Sequence, residues 1–563
     1  MKRVSVFSIL LIFIFYLPSF SFLFPQTVYE PLYSDVYKFL SRMSQKGIIE
    51  FDDLIKPVTR EYIAGKLMEV KSKMENGRWK MEGVTNVEKE ELEFYLQDYT
   101  FELSFLKGEN EHPISNGQFS ILNSSTGRRR LFSYSDSLFK LNLSPVLGYE
   151  IGAQNKKSYS HLWNGVYLYG YLSDYLGFSF DFRDNSETGD NIDRTKSFTP
   201  VTGITIAGGT GNNIQYSEAH ATISINWNWG NFTVGKDFLE WGYGESGKLV
   251  LSQKAPSFPF IRLDIKPVEW LRFNYVHAWL ASDVIDSNAI YASLRSGSEY
   301  DRIQYRQKFL ASHTITITPY TGLDISLGES IIYSDRLEFS YLIPIMFFRL
   351  ADHYLSRGNN NAGGNSQFFI AVSSRNHIKN THLYGTLFID EISTEAFGNP
   401  EKERNQFGFT LGGSVVDLPI DNLTLTAEYT KIYPFVYKHY IPTQTYESAS
   451  YILGHWMGQN ADLVYGSLNY KILRGLQLTL WSEYIRKGGE GKPADQYTQP
   501  QPPFLFGLNS RYIYAGFEIK YEITHEFFVR GKFIYNKITN DQEGGVTTKQ
   551  SYNDLYIALY YGL

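Results

Sequence analysis

The chain has 563 residues, with 53 Lys and Arg against 59 Asp and Glu, a net charge of −6 and no cysteine. The mixed charge offers no basic surface for nucleic acid, and the missing cysteine excludes disulfides and a lipid-modified N-terminal cysteine. Aromatic residues are abundant, with 43 Tyr, 40 Phe and 9 Trp, as interfacial girdles and ligand-facing surfaces require.

The first 21 residues read as a secretory signal. Lys2 and Arg3 form a positive start, Val4 to Tyr16 an apolar core, and Ser19 and Ser21 supply the small residues for cleavage after Ser21. Beyond it no apolar run reaches the ~18 residues of a membrane-crossing helix. Residues 22–100 carry helical periodicity. Ser34 is placed to cap a helix bearing Val36, Tyr37, Leu40 and Met43, closed by Gly47. Pro57-Val-Thr59 introduces a second, with Ile63, Leu67, Val70 and Met74 on one side. Thr85 and Glu88 form a capping-box pattern before a third, with Leu92, Tyr95 and Tyr99. These helices make too small a core to stand alone and are expected to pack on the periplasmic end of a larger body. Residues 101–136 connect the two regions, and Phe101-Glu-Leu103-Ser-Phe105 is their one strand-like stretch. Arg128-Arg129-Arg130 reads as a solvated loop.

From residue 137 to 563 the pattern is strict alternation, as in Leu176-Gly-Phe178-Ser-Phe180-Asp-Phe182. Successive side chains on a strand face opposite ways, so each stretch has one apolar and one polar face. Strands are predicted near 137–151, 163–172, 176–184, 219–229, 231–237, 260–265, 270–280, 309–318 and 323–333. A second set follows near 366–374, 381–391, 407–416, 423–431, 463–471, 476–486, 512–523, 527–537 and 552–563. Connections alternate between short ones, such as 173–175 and 524–526, and long ones, such as 185–218 and 432–462. That rhythm describes an all-β transmembrane barrel of eighteen antiparallel strands, with tight periplasmic turns and long external loops. Segment 334–365 is apolar without alternation and leaves the tenth strand least defined. In the last strand Leu555, Ile557, Leu559, Tyr561 and Leu563 share one face.

Few motifs carry chemistry. Gly242 to Lys248 nearly matches a phosphate-binding loop, but Leu249 stands where a hydroxyl should reach magnesium and no helix follows. Asp184, Glu187, Asp190 and Asp193 could offer calcium oxygen ligands, against the plainer reading of a solvated turn. No catalytic or metal-ligand spacing occurs, so no enzyme, cofactor or metal is expected. His220, Asp181, Arg183 and Glu428 fall on polar strand faces and read as lumen lining. Loop residues Tyr437, Tyr440, Tyr446, Tyr451 and Trp456 stand among amides and charges, a composition suited to stacking on sugar rings. An aromatic girdle with loop packing explains them equally well.

Val234-Gly-Lys-Asp-Phe-Leu-Glu-Trp241-Gly242-Tyr-Gly244, followed by Ser252 and Ala255-Pro256, resembles the central signature of the Wzi-type capsule assembly family. Leu327-Gly-Glu329, Tyr341-Leu-Ile-Pro344, Gly358-Asn-Asn360, Leu453-Gly-His455-Trp-Met-Gly458 and Pro57-Val-Thr-Arg60 extend the resemblance in order along the chain. One departure is Tyr243, where the family pattern has proline. The resemblance implies an 18-stranded outer-membrane barrel with a periplasmic helical bundle, acting as a surface lectin for capsular polysaccharide. The reading reached is a non-enzymatic, monomeric barrel in the outer membrane of a diderm bacterium. Its partners would be capsular or other surface polysaccharide and membrane lipid. A porin or substrate-specific channel for sugars or anions is the alternative, separable by conductance. An outer-membrane hydrolase is the third.

Overall fold

In the computed structural model, the residues described are 27–562, apart from 76–82, 108–129, 137, 174, 206, 296–297, 357–362 and 393–404. The proposed signal, Arg128, Arg129, Gly358 to Asn360 and Leu563 lie outside the described residues.

Eighteen antiparallel strands close into one barrel. They are β1 (Phe139–Gln154), β2 (Lys157–Leu172), β3 (Leu176–Gly189), β4 (Asn213–Trp227), β5 (Gly230–Asp237) and β6 (Phe258–Val268). Next come β7 (Leu271–Leu280), β8 (Lys308–Tyr320), β9 (Leu323–Ser334), β10 (Asn365–Arg375), β11 (Thr381–Glu391) and β12 (Gln406–Val416). The last are β13 (Leu423–Ile432), β14 (Ala461–Leu473), β15 (Leu476–Lys487), β16 (Ser510–Thr524), β17 (Phe527–Asp541) and β18 (Thr547–Tyr561). Leu555, Ile557 and Leu559 of β18 are 52, 56 and 53% exposed, an apolar outer face that needs lipid.

β18 pairs with β1 through Asp554–Tyr561 against Leu147–Gln154, closing the cylinder. A short strand, Phe132–Ser135, lies inside the region expected to be a connector and pairs with Lys140–Leu143 of the same β1. The alternation of short and long connections has two exceptions, one of them the five-residue connection 542–546 between β17 and β18. The predicted connection 152–162 is a two-residue hairpin, with Asn155 and Lys156 both left-handed (φ 47° and 67°), the twist that tight β-hairpins favour.

Four helices stand at the short-turn end: α1 (Val36–Gln45), α2 (Arg60–Glu75), α3 (Asn86–Asp98) and α4 (Thr100–Lys107). Phe39, Leu40, Met43, Ile63, Leu67 and Leu92 form their shared core. Thr85 and Glu88 make the expected capping box. Ser34 does not cap α1; Asp35 holds that position without a side-chain bond. The strand expected at Phe101–Phe105 is helical: Phe101 and Phe105, four apart, share a face that packs with Tyr169 and Tyr171 of β2. Arg130, read as solvated, is buried with its guanidinium 5.4 Å from the Tyr169 ring centre.

Ion pairs fasten this bundle around the rim. Glu88 binds Arg42 at 2.5 Å and Lys46 at 2.6 Å, and both cations also reach Asp417 in the β12–β13 turn. Lys471 meets Glu91 at 2.6 Å, Lys520 meets Asp35 at 2.7 Å and Arg375 meets Asp53 at 2.6 Å. Charges this buried are tolerated because each is paired.

Candidate functional site

The connection between β5 and β6 turns into the lumen. Its Glu240–Trp241 pairs antiparallel with Ile55–Lys56 of the N-terminal region, so chain from both ends of the barrel meets inside. Trp241 is fully buried among Val276, Leu310, Ile332, Phe369 and Phe388, which point inward from β7 to β11. Gly242 (φ 104°) and Gly244 (φ 153°) turn the chain where a side chain would be strained. The Gly242 amide donates to the Leu54 carbonyl at 2.9 Å. Tyr243, the departure from the family pattern, is buried against the rings of His382 and Tyr384.

Glu428 of β13 holds this loop. Its carboxylate accepts from the amides of Glu245 (2.6 Å) and Ser246 (3.0 Å), from the Tyr384 hydroxyl (2.7 Å) and from the Ser246 hydroxyl. It is a lumen residue, as its position on the strand requires, and it is wholly used as an anchor. Lys248, the lysine of the near P-loop, donates to the Gly244 carbonyl and so closes its own loop.

The long connection between β13 and β14 packs onto the same insert. Tyr437 and Tyr446 are fully buried and donate to the Leu249 and Val250 carbonyls at 2.7 and 2.9 Å. The Trp456 indole donates to the Ser246 carbonyl at 2.7 Å, and the Tyr451 hydroxyl meets the carbonyls of Thr195 and Ile204. Ser252 donates to the Leu453 carbonyl through its amide (2.8 Å) and to Gly454 through its hydroxyl (2.5 Å). His455 is fully buried, and burial beside Lys248 pushes its imidazole down to about 3, so it is a neutral packing group. Pro256 stands half-buried where the insert leaves for β6.

The structure thus joins Trp241, Gly242, Gly244, Ser252 and His455 with Tyr437, Tyr446, Tyr451 and Trp456 in one plug. Those four aromatics, expected to meet sugar, turn their rings into protein: Tyr437, Tyr446 and Trp456 satisfy backbone carbonyls of the insert, and Tyr451 those of the β3–β4 connection. Tyr440 alone of the five lies open, 56% exposed. Its ring stands 5.9 Å from Tyr497, an aromatic that the sequence reading did not single out. Beside it, burial lowers His439 to about 4. Exposed Tyr291 and Tyr300 on the hairpin of Tyr291–Arg295 and Ser298–Arg302 add to the aromatic character of the same end. Glu329 faces the opposite side of the wall from the plug.

Asp181, Arg183 and His220 line a polar lumenal cavity of about 180 Å³ with Tyr33 of the N-terminal segment. Arg183 bridges Asp181 (2.9 Å) and the Tyr33 hydroxyl (2.6 Å). The acidic stretch 184–193 is dispersed: Asp184 accepts from Ser217, Glu187 pairs with Lys196, and Asp193 accepts from its own loop amides. Among the described residues no three metal-ligating side chains converge.

A closed barrel of this size, apolar outside and filled within, is an outer-membrane protein. Residues 139–551 match the family described as capsule assembly protein Wzi, and the chain belongs to that family. Its fold is similar to that of Escherichia coli Wzi, described as an outer-membrane protein involved in group 1 capsule assembly and a carbohydrate-binding β-barrel. The two are 13% identical with a TM-score of 0.54, covering 96% of this chain and 100% of that one. More distant likenesses include Acinetobacter baumannii OccAB4 (8% identity, TM-score 0.41, 75% of this chain and 97% of that one). Pseudomonas aeruginosa OprD stands at 12% and 0.41, over 75% and 95% of the two chains. Comparison with curated protein sequences finds no match.

Proposed function

We propose that this protein holds surface polysaccharide at the long-loop end of a non-conducting barrel, and that it assists capsule assembly without catalysing a reaction. The observation that carries the reading is the plug. A channel needs an open lumen, and here the insert 238–257, the 433–460 loop and the N-terminal segment fill it with side chains hydrogen-bonded to one another. Family membership, and the carbohydrate binding described for the E. coli protein, support the ligand class. In this reading the helical bundle is periplasmic, the long loops are external and the barrel works as a monomer in lipid. Tyr440 and Tyr497 stack on sugar rings, with polar loop neighbours bonding hydroxyls. The test pairs two measurements on purified full-length protein. Binding to an array of bacterial polysaccharides is expected, together with no stable conductance in planar bilayers. A steady open pore with no glycan retained would reverse the assignment in favour of a channel.

A further inference from the structure

On β7 to β9 the inward side chains Val276, Ala278, Leu310 and Ile332 belong to the plug. Alternate residues point the other way, and Tyr275, Phe309, Ile331 and Tyr333 form a separate buried cluster with Tyr341 and Phe348. The same outer face carries Ile315, Ile317 and Leu327, exposed by 48, 38 and 58% as lipid-facing residues are. Residues 336–356 therefore leave the top of β9, turn back and lie on the outside of the barrel. They end in a fifth helix, α5 (Phe348–Ser356).

Polar side chains on a lipid-facing wall are costly, yet several occur beneath this segment, and Glu329, His313 and Tyr275 pair with its backbone. The Glu329 carboxylate accepts from the Phe348 and Arg349 amides at 2.8 and 2.6 Å, closing the first turn of α5. His313 Nδ1 lies 2.9 Å from the Pro344 carbonyl and donates to it. The Tyr275 hydroxyl donates to the Tyr341 carbonyl at 2.8 Å. Irregular backbone survives in hydrocarbon only when its polar groups are satisfied in this way. On the far side of the segment Phe339, Ile345, Phe347, Leu350 and Tyr354 are 75, 82, 51, 63 and 81% exposed, with Arg349 and His353 of α5 exposed beside them. This apolar face continues the lipid-facing band of Ile315 and Leu327. Glu329 lies five residues before the end of β9 at Ser334. A tilted strand climbs ~2.5 Å per residue, so the helix starts about 12 Å below the rim.

We propose that residues 336–356 are a membrane-embedded strap, docked on the outer wall through Glu329, His313 and Tyr275, whose free apolar face is solvated by acyl chains of the lipid leaflet on the long-loop side. The strap thereby widens the lipid-contacting perimeter on one side of the barrel.

The chain lacks cysteine, so single thiols can be introduced at exposed positions. Ile345→Cys, Leu350→Cys and Tyr354→Cys would be compared with Leu327→Cys on the bare wall and Glu543→Cys in an exposed loop. Full-length protein carrying a bimane label would be placed in phosphatidylcholine vesicles with nitroxide-labelled acyl chains. Unlabelled protein would be treated with a membrane-impermeant maleimide. The strap positions are expected to be quenched as strongly as Leu327→Cys and to lose reactivity toward the maleimide. Free reaction without quenching, as at Glu543→Cys, would overturn the proposal. Protection without quenching would overturn it too, since a protein surface, such as a second copy of this chain, would then be the occupant.

Discussion

Glu428 is the residue on which the plug turns, and Glu428→Gln is its sharpest perturbation. The carboxylate accepts four hydrogen bonds from three residues, three of them buried and that from the Glu245 amide partly so. Glutamine keeps the length and volume but replaces one oxygen by an NH2 group, which faces donors instead of receiving them. The hydroxyl on that side can turn and accept from the NH2, but the backbone amide beside it is left unmatched, whichever way the side chain is turned. An unsatisfied buried donor costs ~1–3 kcal/mol, so the insert loses that much relative to the wild type. At a tenfold change per ~1.4 kcal/mol, the displaced state of the insert gains about 5-fold to 140-fold in population. The wall itself loses nothing, because Glu428 faces inward and the β12–β13–β14 ladder does not use its side chain. Planar-bilayer recording should therefore show intermittent conductance in Glu428→Gln and silence in the wild type, with equal yields of heat-resistant folded barrel. A silent Glu428→Gln channel, with an unchanged protease pattern at 238–257, would refute the claim that this carboxylate holds the plug.

Glu88→Ala leaves two buried cations, Arg42 and Lys46, sharing the single carboxylate of Asp417. Breaking such a cluster costs ~3–5 kcal/mol, read as earlier proteolytic release of the helical bundle while the barrel stays folded. Tyr440→Ala and Tyr497→Ala each remove a ring contact worth ~0.5–1.5 kcal/mol, so glycan affinity should fall about two- to twelvefold per substitution. Tyr437→Phe should leave affinity unchanged, because that hydroxyl serves the Leu249 carbonyl; a loss would place glycan inside the plug. His439 has a folded-state value near 4, below its ordinary 6.5, so the unfolded loop binds more protons between these values. Packing of the 439–440 turn should therefore be constant above pH 6.5 and weaken as pH falls toward 4, with glycan retention following it.

The wall was legible because alternation is written once per strand, eighteen times over, and a register slip would turn every apolar side chain inward. The Thr85–Glu88 box was equally local. The destination of long connections was not, since Tyr437, Tyr446 and Trp456 have the composition of a ligand surface whether they face sugar or a backbone carbonyl. What separates the cases is the partner 188 residues away in sequence for Tyr437 and 210 away for Trp456, which no local pattern reports. Glu329 is a similar case. It stood in a family-like motif with no visible task, and its task depends on a helix that begins at Phe348. Residues 336–356, inside the stretch that lacked alternation, form a helical turn and α5 and no strand; their apolar residues serve two surfaces at once.

The joint between β18 and β1 has eight register pairs, Asp554–Tyr561 against Leu147–Gln154, where β1 and β2 have sixteen. Below it, Phe132–Ser135 occupies the remaining length of β1. The cylinder is thus closed by a strand 400 or more residues away from its partner in the chain, while the short strand beside it pairs locally. The closing joint cannot form until β18 has been delivered, which makes closure the natural last act of biogenesis.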